Sequence, residues 1–408
     1  MNGLHRWRKY KVGVFAGPDL SENGLVLCLD AGNVKGYDKY ENLRTNSNTG
    51  GFFPVVGSYT STGTSTDILA PDGSNTTYKV VASGTQQSTI DIAYLQITLT
   101  AGVTYTVSVY YYATGSTTSS RNIGIQVFGN SAANTTFTLP QNTWVRQSLT
   151  FTPDTTWSSG QIRVISNDYG TFNSQSGATV YLWGAQLEIG SSVTDYYATT
   201  STAKNRGTTL TDLTGRGNTG TLTNGPTFNN SNGGSLVFDG TDDYVDISNA
   251  TNLNNLGSQD FTVSMWVYRA TNPPSGNGEM LYQSATLDNG FVICISDNDF
   301  RIELRDNAST NSTVAGILDV FTANIWNNLV LTKQGTTYTG YSQGTSKGSL
   351  TSYQDVGTDS GFINIGRVSW WGPSHWEGNI AQVQVYNRAL SAQEIRQNFN
   401  ANRGRFGI

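Results

Sequence analysis

Val103-Thr104-Tyr105-Thr106-Val107-Ser108-Val109-Tyr110 alternates apolar or aromatic residues with small hydroxyl residues. Phe261-Thr262-Val263-Ser264-Met265-Trp266-Val267 repeats the pattern in the second half of the chain. A period of two in β-branched and aromatic residues is the signature of strands with one buried face. Outward from these runs, Gly, Asn, Asp and Thr punctuate many similar segments. Cys294 to Leu304 reads as a hairpin turning at Asp297 to Asp299. Short strands separated by such turns predict an all-β chain of sandwiches or closed barrels. One helix is expected near the C-terminal end, where Ser391 and Glu394 have capping-box spacing, Leu390 and Ile395 fit a hydrophobic staple, and Gly404 is placed to end it.

The 408 residues predict two or three domains. Only 13% are charged, and with 11% aromatics the composition is that of a folded chain. The formal net charge of −5 creates no general attraction for polyanions, so nucleic acid is not expected as a partner. No apolar run has the length of a membrane span, so membrane insertion is not expected either. Cys28 and Cys294 read as buried thiols rather than a disulfide framework.

Blocks of the chain resemble known families. Gly24-Leu25-Val26-Leu27-Cys28-Leu29-Asp30-Ala31-Gly32-Asn33 is similar to the opening strand of laminin-G-like, concanavalin A-like jelly rolls of phage structural proteins. Leu210-Thr211-Asp212-Leu213-Thr214-Gly215, Phe238-Asp239-Gly240-Thr241-Asp242-Asp243-Tyr244-Val245 and the closing stretch Trp376 to Ser391 follow in the family's order. The intervening piece, with its Ala70-Pro71-Asp72-Gly73 turn and its end Tyr181-Leu182-Trp183-Gly184-Ala185-Gln186-Leu187-Glu188, resembles carbohydrate-binding-module-like sandwiches of phage tails and fibres. The resemblance implies two jelly-roll sandwiches, one inserted in the other. Their expected bounds are an N-terminal arm at 1–23, a discontinuous laminin-G-like domain at 24–38 and 206–408, and an insert at 39–205. Insertion is physically permissible because sandwich termini lie at the surface and close together.

Such folds host lectins, enzymes and passive structural parts alike, so function has to be sought in sites. Glycosidases need paired carboxylates at a set separation. The seven glutamates, at 22, 41, 188, 279, 303, 377 and 394, include no closely spaced pair. With only His5 and His375, and no Gly-x-Ser-x-Gly elbow, a nucleophilic triad has little to draw on. No catalytic residue is assigned.

Sugar recognition uses exposed aromatic faces beside hydrogen-bonding groups. Trp370, Trp371 and His375 are the leading candidates, with Tyr111, from the run Tyr110-Tyr111-Tyr112, and Trp157 in the insert. Trp370 and Trp371 also fit a subunit contact or plain packing. Trp376 reads as core, as do Trp144, Trp183, Trp266 and Trp326. The resemblance further implies a structural Ca²⁺, for which Asp239, Asp242 and Asp243 are candidates, although Asp at such positions equally closes turns. The basic aromatic arm, Arg6, Trp7, Arg8 and Lys9, is expected to anchor the protein to other virion proteins of capsid or tail. The expectation is therefore a non-enzymatic virion protein, of decoration, fibre or tail type, displaying sandwiches to cell-surface glycans. A purely structural virion protein and a polysaccharide-cleaving enzyme are the alternatives. A homo-oligomer is compatible with this reading, but no heptad specifies its number.

Overall fold

The computed structural model describes residues 20–408 apart from 34, 36, 40–42, 44–58, 83–89, 116–121, 129–132, 167–178, 200–205, 248–252, 254–255, 274–278, 286–289, 297, 306–310, 318, 353–362 and 369–373. The chain is all-β and forms two compact units. One comprises Met1–Lys39 with Gly207–Ile408, and the other is Tyr40–Arg206.

The discontinuous unit pairs two eight-stranded antiparallel sheets. In the first, Glu377–Tyr386 is central. One edge of it binds Phe261–Tyr268, and the other binds Leu25–Asp30 and Ser235–Asp239 in tandem. The second sheet includes Tyr244–Ile247, Ile363–Ile365, Glu279–Ala285, Gly290–Ser296 and Asp299–Arg305 as neighbours. The expected hairpin is present, with Ser296 opposite Asp299. Alternation decides which residues meet between the sheets. Phe261, Val263, Met265 and Val267 enter the core, where Phe261 stacks on Phe291 with ring centres 4.5 Å apart. Trp376 is fully buried there beside Phe321.

Trp266, expected in the core, points to the opposite face of its sheet. It is buried by the C-terminal segment, with Phe399 and Phe406 stacked on it at 5.8 and 4.1 Å. The helix Ala392–Asn402 begins with the expected capping box of Ser391 and Glu394. Gly404 does not end it. The chain continues as a 3₁₀ turn, Arg403–Phe406, and Gly407 takes the left-handed conformation at φ 73°. Stacking of Phe406 on Trp266 draws the extra turn onto the sheet. Arg405 then reaches the buried Asp30 carboxylate at 2.9 Å, and Gln382 donates to the same group. Cys28 and Cys294 are free and buried.

In the continuous unit a five-stranded sheet, in the order Tyr59–Ser65, Thr77–Ala82, Thr179–Ile189, Tyr105–Ala113 and Val145–Phe151, faces a four-stranded one. The four-stranded sheet runs Ile90–Leu99, Trp157–Ser166, Asn122–Phe128 and Asn134–Thr138. Val107, Val109 and Tyr111 pack on Ile123, Ile125, Ile162 and Val164 between them.

Candidate functional site

The outer face of the five-stranded sheet carries the other half of the alternation: Ser108, Tyr110 and Tyr112 on one strand, Tyr181 and Trp183 on the next. One end of this face is closed. Buried Glu188 accepts from the backbone and hydroxyl of Thr194, and Gln186 accepts from the Tyr197 amide, so residues 194–197 are clasped onto the sheet. Tyr196 lies against Trp183 there at 4.4 Å, and Arg146 sits over Tyr110 while donating to the Thr194 carbonyl.

The other end is open. Tyr112 and Tyr181 are direct cross-strand partners with rings 6.0 Å apart, and Trp144 leans on Tyr112 at 5.5 Å. The Trp144 indole N–H donates to the Leu69 carbonyl, fixing the ring, and the Leu69 side chain is 59% exposed. Tyr181 donates to Asp67, which is ion-paired with Lys79, and the Lys79 ammonium lies 5.8 Å from the Tyr181 ring centre. Half-buried Tyr112 and Trp144 thus border a charged, hydrogen-bonding pair. Apolar ring faces next to polar groups match the two surfaces of a sugar ring.

This arrangement corrects two sequence readings. Tyr111 is fully buried, and its hydroxyl has no hydrogen-bond partner among the described residues. It shares the phase of Val107 and Val109, so its ring fills the core and cannot meet a glycan, whereas its neighbour Tyr112 faces outward. Trp144, read as core, is half-buried at the open end of the outer face. Trp157 is also half-buried. It packs against the core and gives its indole N–H to Thr155 at 2.6 Å.

At the rim of the discontinuous unit, the turn after Ser235–Asp239 gathers three carboxylates. Oxygens of Asp239, Asp242 and Asp243 lie within 4.8 Å of one another. The turn is built from its own amides: Thr241 and Asp242 donate to Asp239 Oδ1, and the Asp239 amide donates to Asp243 Oδ2. Gly240, at φ 76°, passes so close to Glu377 that an added Cβ would lie 2.9 Å from its Cβ. Burial, followed by the charge of Asp239 and then that of Asp242, pushes the Asp243 carboxyl up to about 6. Three clustered oxygens without an ion-pair partner among the described residues have the donor chemistry of a hard cation.

His375 belongs to the same neighbourhood. It bridges to Arg367, whose guanidinium stacks 3.3 Å from the Tyr244 ring centre. Its Nδ1 is buried without a hydrogen-bond partner among the described residues. Burial, reinforced by Arg367, lowers the His375 pKa against the opposing pull of Asp242 and Asp239, which favours the neutral imidazole. Trp370, Trp371 and the arm residues Arg6, Trp7, Arg8 and Lys9 lie outside the described residues.

Residues 239–396 match a family model described as the concanavalin A-like lectin/glucanases superfamily. Residues 43–171 match a model described as a carbohydrate binding domain, and they include Tyr112 and Trp144. No curated protein matches the chain. Among solved structures, the botulinum neurotoxin serotype D binding domain is similar at 16% identity and a TM-score of 0.39, over 47% of this chain and 48% of that one. The binding domain of Paraclostridial Mosquitocidal Protein 1 is similar at 17% identity and a TM-score of 0.40, over 47% and 49%. The match spans about half the length of these structures. Two segments of this all-β chain are thus similar to a concanavalin A-like lectin/glucanase model and to a carbohydrate binding domain model.

Proposed function

We propose that the protein is a non-enzymatic glycan-binding protein, and that Tyr112, Trp144 and the Asp67–Lys79 pair form its primary saccharide contact. The observation that carries this reading is the open aromatic end of the five-stranded sheet, lying mostly within the segment that matches a carbohydrate binding domain. A glycan array probed with the full chain tests it. Tyr112→Ala and Trp144→Ala are expected to weaken binding by about tenfold or more, since an aromatic anchor contributes on the order of 1–2 kcal/mol. Absence of saccharide binding at millimolar concentration would favour a purely structural protein, and release of reducing sugar from an envelope polysaccharide would favour an enzyme.

We further propose that it is a virion component, as the sequence resemblance implies, anchored by the basic aromatic arm at residues 1–23 and with Trp370 and Trp371 as further glycan contacts. Antibody labelling of intact particles against residues 208–390 tests this placement by electron microscopy. Label on the head corresponds to decoration and label on the tail to host attachment, whereas unlabelled particles count against a virion surface.

Asp239, Asp242 and Asp243 are proposed to hold a structural Ca²⁺, which would neutralise their mutual repulsion and pin the turn. A ligand bound only by the folded state raises its stability. Chelation with EDTA is therefore expected to lower the Tm, and added Ca²⁺ to restore it. An unchanged Tm removes the cation and leaves a hydrogen-bonded turn.

A further inference from the structure

On the discontinuous unit, a cavity of about 460 Å³ opens beside the C-terminal 3₁₀ turn, on the face of the first sheet that points away from the core. Its volume lies in the range of small-ligand pockets. Tyr268 and Trp326 form an aromatic wall, with ring centres 5.8 Å apart at an interplanar angle of 45°. Behind them Trp326 is fixed from two sides, by Phe406 at 4.7 Å and by its indole N–H on Asn232 Oδ1 at 3.2 Å. Ile325, 41% exposed, extends the apolar rim.

Phe406, Gly407 and Ile408 also border it, the other lining side chains are amides and hydroxyls, and among the described residues none of the lining side chains is ionisable apart from the Tyr268 phenol. Both ends of the Asn232 amide are engaged, by Trp326 and by the Arg405 carbonyl, whereas three other amides are held by one end. Asn229 Oδ1 accepts the Ser231 amide, Asn324 Oδ1 accepts the Tyr268 hydroxyl, and Asn379 Nδ2 donates to Ser235 Oγ. The Nδ2 groups of Asn229 and Asn324 and the Oδ1 of Asn379 remain for a ligand. Asn324 also sits at φ 63°, a backbone conformation that holds its amide at the rim.

Two donors and one acceptor on preorganised amides, facing an aromatic wall, suit a ligand whose groups both donate and accept and whose ring has apolar C–H faces. None of the lining side chains carries a positive charge, which disfavours an anionic ligand, since it would be desolvated without a counter-charge. We infer that this cavity is a second binding site, specific for a neutral saccharide. It rests on its own lining and does not depend on the Tyr112–Trp144 site.

The test uses the full chain labelled with ¹⁵N-tryptophan, titrated with galactose, maltotriose, cellotriose and chitotriose, and with glucuronic acid as the anionic probe. The Trp326 indole resonance, assigned through Trp326→Phe, reports this cavity, and the Trp144 resonance reports the other site in the same spectra, so the two readings fail separately. A saturable shift of Trp326 with at least one neutral sugar is expected. It should be weakened about fivefold or more in Asn324→Gly and Asn379→Ala, with glucuronic acid binding about tenfold more weakly than the best neutral sugar. Asn324→Gly removes the amide at an exposed position whose backbone glycine adopts freely, so loss of folding does not obscure the result. The inference is overturned if Trp326 is unmoved by all four sugars at tens of millimolar. It is equally overturned if glucuronic acid binds as well as they do, or if the resonance shifts with protein concentration alone, which would mark a second copy seated on Ile325.

Discussion

Tyr111 and Tyr112 show how one step along a strand separates packing from recognition. The Tyr111 hydroxyl is buried without a partner among the described residues, and burial drives its pKa far above the ordinary phenol value. An unsatisfied buried hydroxyl costs on the order of 1–3 kcal/mol, so Tyr111→Phe is expected to leave the Tm unchanged or raise it, as a thermal melt would show. The phase was legible: Val107 and Val109 fix which side of the strand faces the core, and Tyr111 is two residues further on. Trp144 was not legible by the same rule. It immediately precedes the strand Val145–Phe151, where no alternation yet binds the side chain, and its placement depends on Tyr112 and the Leu69 carbonyl. The cavity beside Trp326 had no sequence signal at all, because Asn229, Asn324 and Asn379 come from three separate segments that only the sheet brings together.

The C-terminal helix is the element whose start was written in the sequence and whose end was not. Capping is local, so Ser391 and Glu394 sufficed to announce it, whereas its extension depends on Trp266, more than a hundred residues earlier. Ser391→Ala is expected to cost about 1 kcal/mol in a denaturant melt. Glu394 gives the same element an acid dependence. Its bonds to Arg388, assisted by the cap at Ser391, lower its carboxyl from 4.5 to about 2. A depressed carboxylate contributes stability that is complete above the unfolded value and is lost as pH falls through the folded one. The protein should therefore lose stability between about pH 4.5 and pH 2, and Glu394→Gln should flatten that limb while lowering stability at neutral pH.

Over the whole molecule, period-two alternation was enough for the all-β class, but not for the order of strands. Leu25–Asp30 pairs with Glu377–Tyr386, and nothing in either stretch names the other. The crossing between units is equally a matter of tertiary structure. The Gly207 amide donates to the Asp38 carbonyl at 2.9 Å, and Tyr37 bridges to Leu210, so the ends that flank residues 40–206 are held side by side. Replacing 40–206 by a short Gly/Ser linker should leave a discontinuous unit that retains β-type circular dichroism and one cooperative thermal transition. Failure to fold would show that its core needs the other unit. The same clasp has a mechanical consequence. A load applied to the continuous unit reaches the other through two covalent strands in parallel rather than one, and the Asp38–Gly207 bond holds those strands together where they enter the discontinuous unit.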